Sequence, residues 1–177
     1  MLIFVYGGSG SGKSAFAEDL CVKLCQGKKM YYIASMENTD SETDRKIKRH
    51  QKARSGRNFE TIECPVGLKN VKLKERTTVI IECLSNLAAN EMFSEKGCKK
   101  NVVQNVVEGV KNIAAQSENV VIVSNDIFGG GNSYDRLTLE YMRVLGDINY
   151  ILAALCQEAV EVVCSVPVYY KKRGLHD

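Results

Sequence analysis

The chain has 177 residues, 45% of them hydrophobic and 25% charged, with a net charge of +3. These values fit one globular domain with a substantial core and exclude a disordered chain. So small a net charge also excludes a protein that coats nucleic acid, so any cationic function must come from local clustering.

The chain opens on "LIFVY", a short apolar strand that runs into "GGSGSGKS". The pattern "SAFAEDLCVKLCQG" predicts a helix that stops at Gly27, and "KMYYIA" predicts a second buried strand. The polar stretch "SMENTDSETD" leads into a basic helix expected from about Ser41 to Arg54, with Glu42 and Asp44 early and its cations late, as the helix dipole prefers. "FETIEC" reads as a short extended piece, "TTVIIEC" as an apolar strand, and "LSNLAANEMF" and "KNVVQNVVEGVKNIAAQ" as helices. "NVVIVSND" is a strand with a polar end, "GGGNS" a flexible loop, and a long helix is expected from about Tyr134 to Gln157. "VEVVCSVPV" then closes the core as one strand, and "YYKKRGLHD" reads as a mobile tail. Near-continuous Val/Ile strands separated by helices predict an α/β domain in three layers with a mostly parallel sheet. The expected division is a single nucleotide-binding domain over residues 1–168 and a tail over 169–177.

No apolar run approaches the roughly 18 residues that a membrane span needs. The seven cysteines (Cys21, Cys25, Cys64, Cys83, Cys98, Cys156 and Cys164) include no CxxC pair. With no signal peptide in view, they read as reduced thiols of a cytoplasmic protein.

Residues Gly7, Gly8, Ser9, Gly10, Ser11, Gly12, Lys13 and Ser14 fit the phosphate-loop pattern G-x-x-x-x-G-K-[ST], with a strand before and a helix after. Glycines let the backbone curl so that several N–H groups converge on phosphate oxygens, and the helix adds its positive end. Lys13 is expected to neutralise the β/γ-phosphates and the Ser14 hydroxyl to coordinate Mg²⁺. Such a site needs an acid at a neighbouring strand end, to hold the metal directly or through water. Glu82 of "VIIEC" is the first candidate and Asp126 of "VIVSND" the second.

One of the two histidines, His50, sits inside "KIKRHQKAR". At helical spacing Lys46, His50 and Arg54 share a face, which Arg57 could continue. Neighbouring cations disfavour protonation, and a neutral imidazole is a nucleophile. The same cations would hold a polyphosphate and stabilise charge in a transition state. From these residues alone, a nucleophilic histidine and a solvated basic helix stand side by side.

Taken in order, the strand–"GGSGSGKS"–helix start, "YIAS", "RHQKAR", the Glu of "TIEC", "VIIEC" and "VIVSND" resemble the bifunctional adenosylcobinamide kinase / adenosylcobinamide-phosphate guanylyltransferase family of cobalamin biosynthesis. The likeness covers roughly residues 1–168. It implies a P-loop NTPase core of the RecA-like kind and relatives that assemble as homotrimers. It also implies two reactions: ATP or GTP phosphorylates adenosylcobinamide, and GTP then transfers GMP to a histidine and on to the phosphorylated cobinamide. The guanylylated histidine falls on His50. Nucleotide contacts fall on the phosphate loop, Ala34, Ser35, Gln51, Lys52, Ala53, Arg54, Glu63 and Glu82, with Mg²⁺ at Ser14 and Glu82. The sequence departs from the family at Gly10, where an arginine is usual, and at Phe59, where a tryptophan is usual.

Two other readings use the same residues. A small-molecule kinase or nucleotide hydrolase would use the phosphate loop with the basic segment as a lid, and would form no covalent intermediate. A GTP-sensing regulator would present the basic helix to RNA or a partner, but no aromatic residues are interleaved with its cations. His176, in the tail, is read as a bystander.

Overall fold

The computed structural model describes residues 1–37, 56–131 and 133–173. The basic segment with Lys46, His50, Gln51, Lys52, Ala53 and Arg54 lies outside the described residues, as does His176. Seven strands are described: β1 (Leu2–Gly7), β2 (Met30–Ala34), β3 (Phe59–Glu63), β4 (Thr78–Glu82), β5 (Asn119–Asn125), β6 (Glu158–Val163) and β7 (Val166–Lys171). Four α-helices accompany them: α1 (Lys13–Cys25), α2 (Leu84–Phe93), α3 (Val102–Gln116) and α4 (Arg136–Leu155). The sheet runs in the order β3-β2-β4-β5-β1-β6-β7. All neighbours are parallel except β6 and β7.

Alternation along the strands builds two cores. Ile3 and Val5 of β1, Met30 and Tyr32 of β2, Ile80 of β4 and Val121 and Val123 of β5 face α1. Phe4, Tyr31, Ile33, Val79, Ile81, Val120 and Ile122 face the layer of α2, α3 and α4. Burial on both faces is why these strands read as continuous Val/Ile runs. The helices carry the matching stripes. α3 buries Val102, Val106, Val107, Val110 and Ile113, and α4 buries Leu145, Ile148 and Leu152, at three- and four-residue spacing. α1 presents Ala17, Cys21 and Cys25, small side chains suited to close approach to the sheet. The result is a three-layer P-loop NTPase fold with one strand, β5, between the phosphate-loop strand and the Glu82 strand.

The end of the chain differs from expectation. "VEVVCSVPV" forms two strands that fold back on each other, and the segment expected as a tail is strand as far as Lys171. Cys164 and Ser165 make the two-residue turn, both with left-handed φ (48° and 65°). Turns of this kind are normally signalled by Asn-Gly or Asp-Gly, so Cys-Ser gave no punctuation to read. Pro167 is tolerated because β7 is an edge strand.

Candidate functional site

The C-terminal ends of the parallel strands converge on one edge of the sheet, where α/β folds bind ligands. Gly7 at the end of β1 pairs in register with Asn125 of β5. Ala34 of β2 lies between Glu63 of β3 and Glu82 of β4. Four strands therefore deliver Gly7, Ala34, Glu63 and Glu82 to the same edge, with Glu63 exposed and Ala34 and Glu82 partly buried.

The phosphate loop between β1 and α1 needs its glycines. Gly10 and Gly12 adopt φ of 71° and 89°, in the region that favours glycine. A Cβ at Gly12 would lie 2.6 Å from Ser165 Oγ, and one at Gly7 would lie 2.6 Å from the Val162 carbonyl oxygen. The Ser11 amide donates to the Gly8 carbonyl at 3.2 Å, and Lys13 Nζ donates to the same oxygen at 3.0 Å. Lys13 is buried, so its ammonium is held inside the loop rather than in solvent. Gly12 is the N-cap of α1 and brings no side-chain cap, which leaves the first-turn amides of the helix for an anion.

Ser14 Oγ donates to Glu82 Oε1 at 2.5 Å. The other oxygen, Glu82 Oε2, is buried with no hydrogen-bond partner among the described residues, as is Ser11 Oγ. A carboxylate oxygen in that position is costly unless a cation or donor meets it. A hydroxyl and a carboxylate side by side at the helix end form an oxygen donor set that fits Mg²⁺.

The second candidate acid is not part of this pair. Asp126 directly follows β5 with parity opposite to Asn125, and its carboxylate reaches the Tyr6 hydroxyl and accepts from the Phe128 amide at 3.0 Å. Burial, with Asp126 and Glu161 nearby, pushes the Tyr6 hydroxyl well above its ordinary pKa. Asp126 touches the loop through its backbone, the amide donating to the Gly7 carbonyl at 2.9 Å.

Ser35 is fully buried, and its hydroxyl is occupied. It donates to the Cys83 carbonyl at 2.8 Å and accepts from the Cys83 amide at 2.7 Å, bracing the peptide that follows Glu82. Arg57 does not extend a free cationic face. Its guanidinium bonds Asp19 at 2.7 Å and lies 3.5 Å from Glu18, two acids of α1.

Two groups at the site were not singled out from sequence. Asn125 Nδ2 donates to Ser85 Oγ at 2.5 Å, tying the end of β5 to the start of α2. The Ser165 amide donates to the Ser11 carbonyl at 2.8 Å. Sheet parity could have flagged Asn125, two residues after the α1-facing Val123; no sequence signal marked Ser165. A cleft of about 1250 Å³ between α2, α3 and α4 includes no phosphate-loop residue.

A model of the family described as "Cobinamide kinase / cobinamide phosphate guanyltransferase" matches residues 3–169. The bifunctional adenosylcobalamin biosynthesis protein CobU of Escherichia coli (strain K12) is 27% identical over 184 residues, covering 97% of this chain and 100% of that protein. The protein of the same name from Salmonella typhimurium is 26% identical over 188 residues, with the same coverage. Among solved structures, a KaiC-like protein from Pyrococcus horikoshii aligns with a TM-score of 0.55 at 10% identity, over 98% of this chain and 80% of that one.

Proposed function

The chain belongs to the cobinamide kinase / cobinamide phosphate guanyltransferase family, and on that premise we propose that it is a bifunctional transferase of cobalamin biosynthesis. In the first reaction, ATP or GTP phosphorylates the aminopropanol hydroxyl of adenosylcobinamide. In the second, GMP passes from GTP through His50 to adenosylcobinamide-phosphate, giving adenosylcobinamide-GDP. The observation that carries the nucleotide site is the Ser14–Glu82 contact at 2.5 Å, with the second Glu82 oxygen buried beside the phosphate loop and without a hydrogen-bond partner among the described residues.

The loop amides and Lys13 hold the phosphates, with Ala34, Glu63 and Gln51–Arg54 as further nucleotide contacts. Ser14 and Glu82 would hold Mg²⁺, which when bound neutralises phosphate charge as it develops. In the kinase step the acceptor hydroxyl oxygen attacks the γ-phosphorus, the bond from that phosphorus to the β,γ-bridging oxygen breaks, the nucleoside diphosphate leaves, and the hydroxyl proton passes to solvent. In the guanylyl step a neutral His50 nitrogen attacks the α-phosphorus of GTP, and pyrophosphate leaves. A phosphate oxygen of phosphorylated cobinamide then attacks that phosphorus, and the N–P bond breaks to restore the imidazole. A cytoplasmic homotrimer is part of the same proposal, and light scattering on the purified chain measures the assembly.

The test is incubation with α-labelled GTP and Mg²⁺, followed by acid or alkali. A phosphoramidate label is acid-labile and alkali-stable, it should be discharged by phosphorylated cobinamide, and His50→Asn should abolish it while GTP still binds. Phosphoryl transfer to cobinamide without any protein label would instead support a kinase that forms no covalent intermediate.

A further inference from the structure

The phosphate loop is not supported by its own turn alone. The β6–β7 hairpin comes up beside it, and three contacts join them. The Ser165 amide donates to the Ser11 carbonyl at 2.8 Å. Gly12 lies so close to Ser165 that a Cβ would sit 2.6 Å from its hydroxyl oxygen and 3.3 Å from its Cα. Gly7 approaches the Val162 carbonyl oxygen just as closely. The turn that makes these contacts uses two non-glycine residues in left-handed backbone, Cys164 and Ser165. Such residues carry a conformational cost and concentrate at functional positions.

The consequence follows from peptide geometry. The Ser11 carbonyl and the Gly12 N–H belong to one planar trans peptide, so they point in opposite directions. Holding the carbonyl against the Ser165 amide aims the Gly12 N–H away from the hairpin. The Ser11 amide is already bonded to Gly8 and offers no such donor. The Gly12 amide is therefore a donor whose direction is set from outside the loop, by a residue more than 150 positions away.

We propose that the Cys164–Ser165 turn positions the phosphate loop, its Ser165 N–H fixing the Ser11–Gly12 peptide so that the Gly12 amide meets the phosphates of a nucleoside triphosphate. The proposal rests on the nucleotide-site reading above and adds a positioning residue to it. Ser165 acts through its backbone, so its hydroxyl is dispensable and its donor is not. Glycine at position 165 keeps the donor and suits the left-handed backbone.

The experiment measures Kd for GTP and for inorganic tripolyphosphate by calorimetry, in Mg²⁺, on the full chain. Inserting two glycines between Cys164 and Ser165 takes the donor off Ser11 and adds no bulk. It should weaken both ligands by about tenfold or more, the factor expected for one lost hydrogen bond to a charged group. Ser165→Gly, which keeps the amide donor, should lose clearly less affinity than the insertion does. A purely structural role would lower Tm and binding stoichiometry while leaving the Kd of the folded fraction in place. A double-mutant cycle covers the case in which the insertion does not fold. Gly12→Ala should weaken binding, and adding Ser165→Gly should restore part of it by removing the facing oxygen. A folded insertion variant that binds both ligands as tightly as the unaltered chain overturns the inference, as does a cycle with no coupling. If the unaltered chain itself binds neither ligand, the nucleotide reading fails and this inference with it; intact binding in that chain separates the two failures.

Discussion

At the scale of single residues, the proposed nucleotide chemistry rests on Lys13, Ser14 and Glu82. Lys13 is buried and bonded to the loop carbonyl of Gly8, so it already stands where phosphate charge would arrive. Lys13→Ala is expected to reduce both histidine labelling and phosphoryl transfer by about a hundredfold or more, the scale of losing a preorganised charge at a transition state; unchanged rates would rule the role out. Glu82→Gln separates binding from stability. It removes a charge whose second oxygen is buried without a partner among the described residues, so thermal stability should hold or rise. The Mg²⁺ dependence of nucleotide binding should weaken by about tenfold, as one carboxylate ligand is lost. A variant with unaltered Mg²⁺ dependence would remove Glu82 from the metal site. Lys13 and Ser14 were the most legible part of the chain, since a phosphate loop is a local pattern whose meaning is set within eight positions. Asp126 was less legible, because a one-residue step along β5 sends its carboxylate to the other face of the sheet.

At the scale of elements, two contacts invite measurement. α3 crosses the 3-10 turn at Leu68–Asn70 through Gly109, where a Cβ would meet Leu68 Cβ at 2.9 Å and the Lys69 amide nitrogen at 3.0 Å. Gly109→Ala should therefore destabilise the chain by about 1–3 kcal/mol despite the better helix propensity of alanine, with denaturant unfolding as the check. α4 begins at Asp135, whose carboxylate accepts from the Leu137 amide at 2.8 Å and the Thr138 amide at 2.9 Å. The Thr138 amide and hydroxyl hold that carboxyl below the usual aspartate range. A lowered folded pKa means the cap stabilises above the unfolded pKa of about 3.9 and is lost as pH falls through the folded value. The Tm gap between the unaltered chain and Asp135→Ala should be open at neutral pH and close in acid. A gap that persisted through the acid range would show that the carboxylate is not the cap. The helices were legible from their periodic stripes, and the hairpin was not, because neither Cys164 nor Ser165 belongs to the residues that announce such a turn.

At the scale of the whole molecule, burial sorts the seven cysteines. All are free; Cys98 and Cys164 are exposed and the other five are buried. Burial pushes the Cys64 thiol up to about 11 and the Cys156 thiol up to about 12, which keeps the reactive thiolate scarce at neutral pH. A disulfide reagent at pH 8 should find two fast thiols in the folded chain and seven in denaturant. A third fast thiol under native conditions would show that one of the two cores is more open than the fold implies.

The sequence by itself determined the phosphate loop, the alternation of strand and helix, the double burial that makes the sheet parallel, and the family resemblance, all of which depend on residues close together or on order along the chain. Only the tertiary structure decided which acid meets Ser14, that Arg57 is paired with Asp19 and Glu18, that the Ser35 hydroxyl is occupied by Cys83, and that a C-terminal turn reaches the N-terminal loop. The physical reason is register: a side chain's partner depends on how strands distant in sequence align, and a shift of one residue sends it to the opposite face.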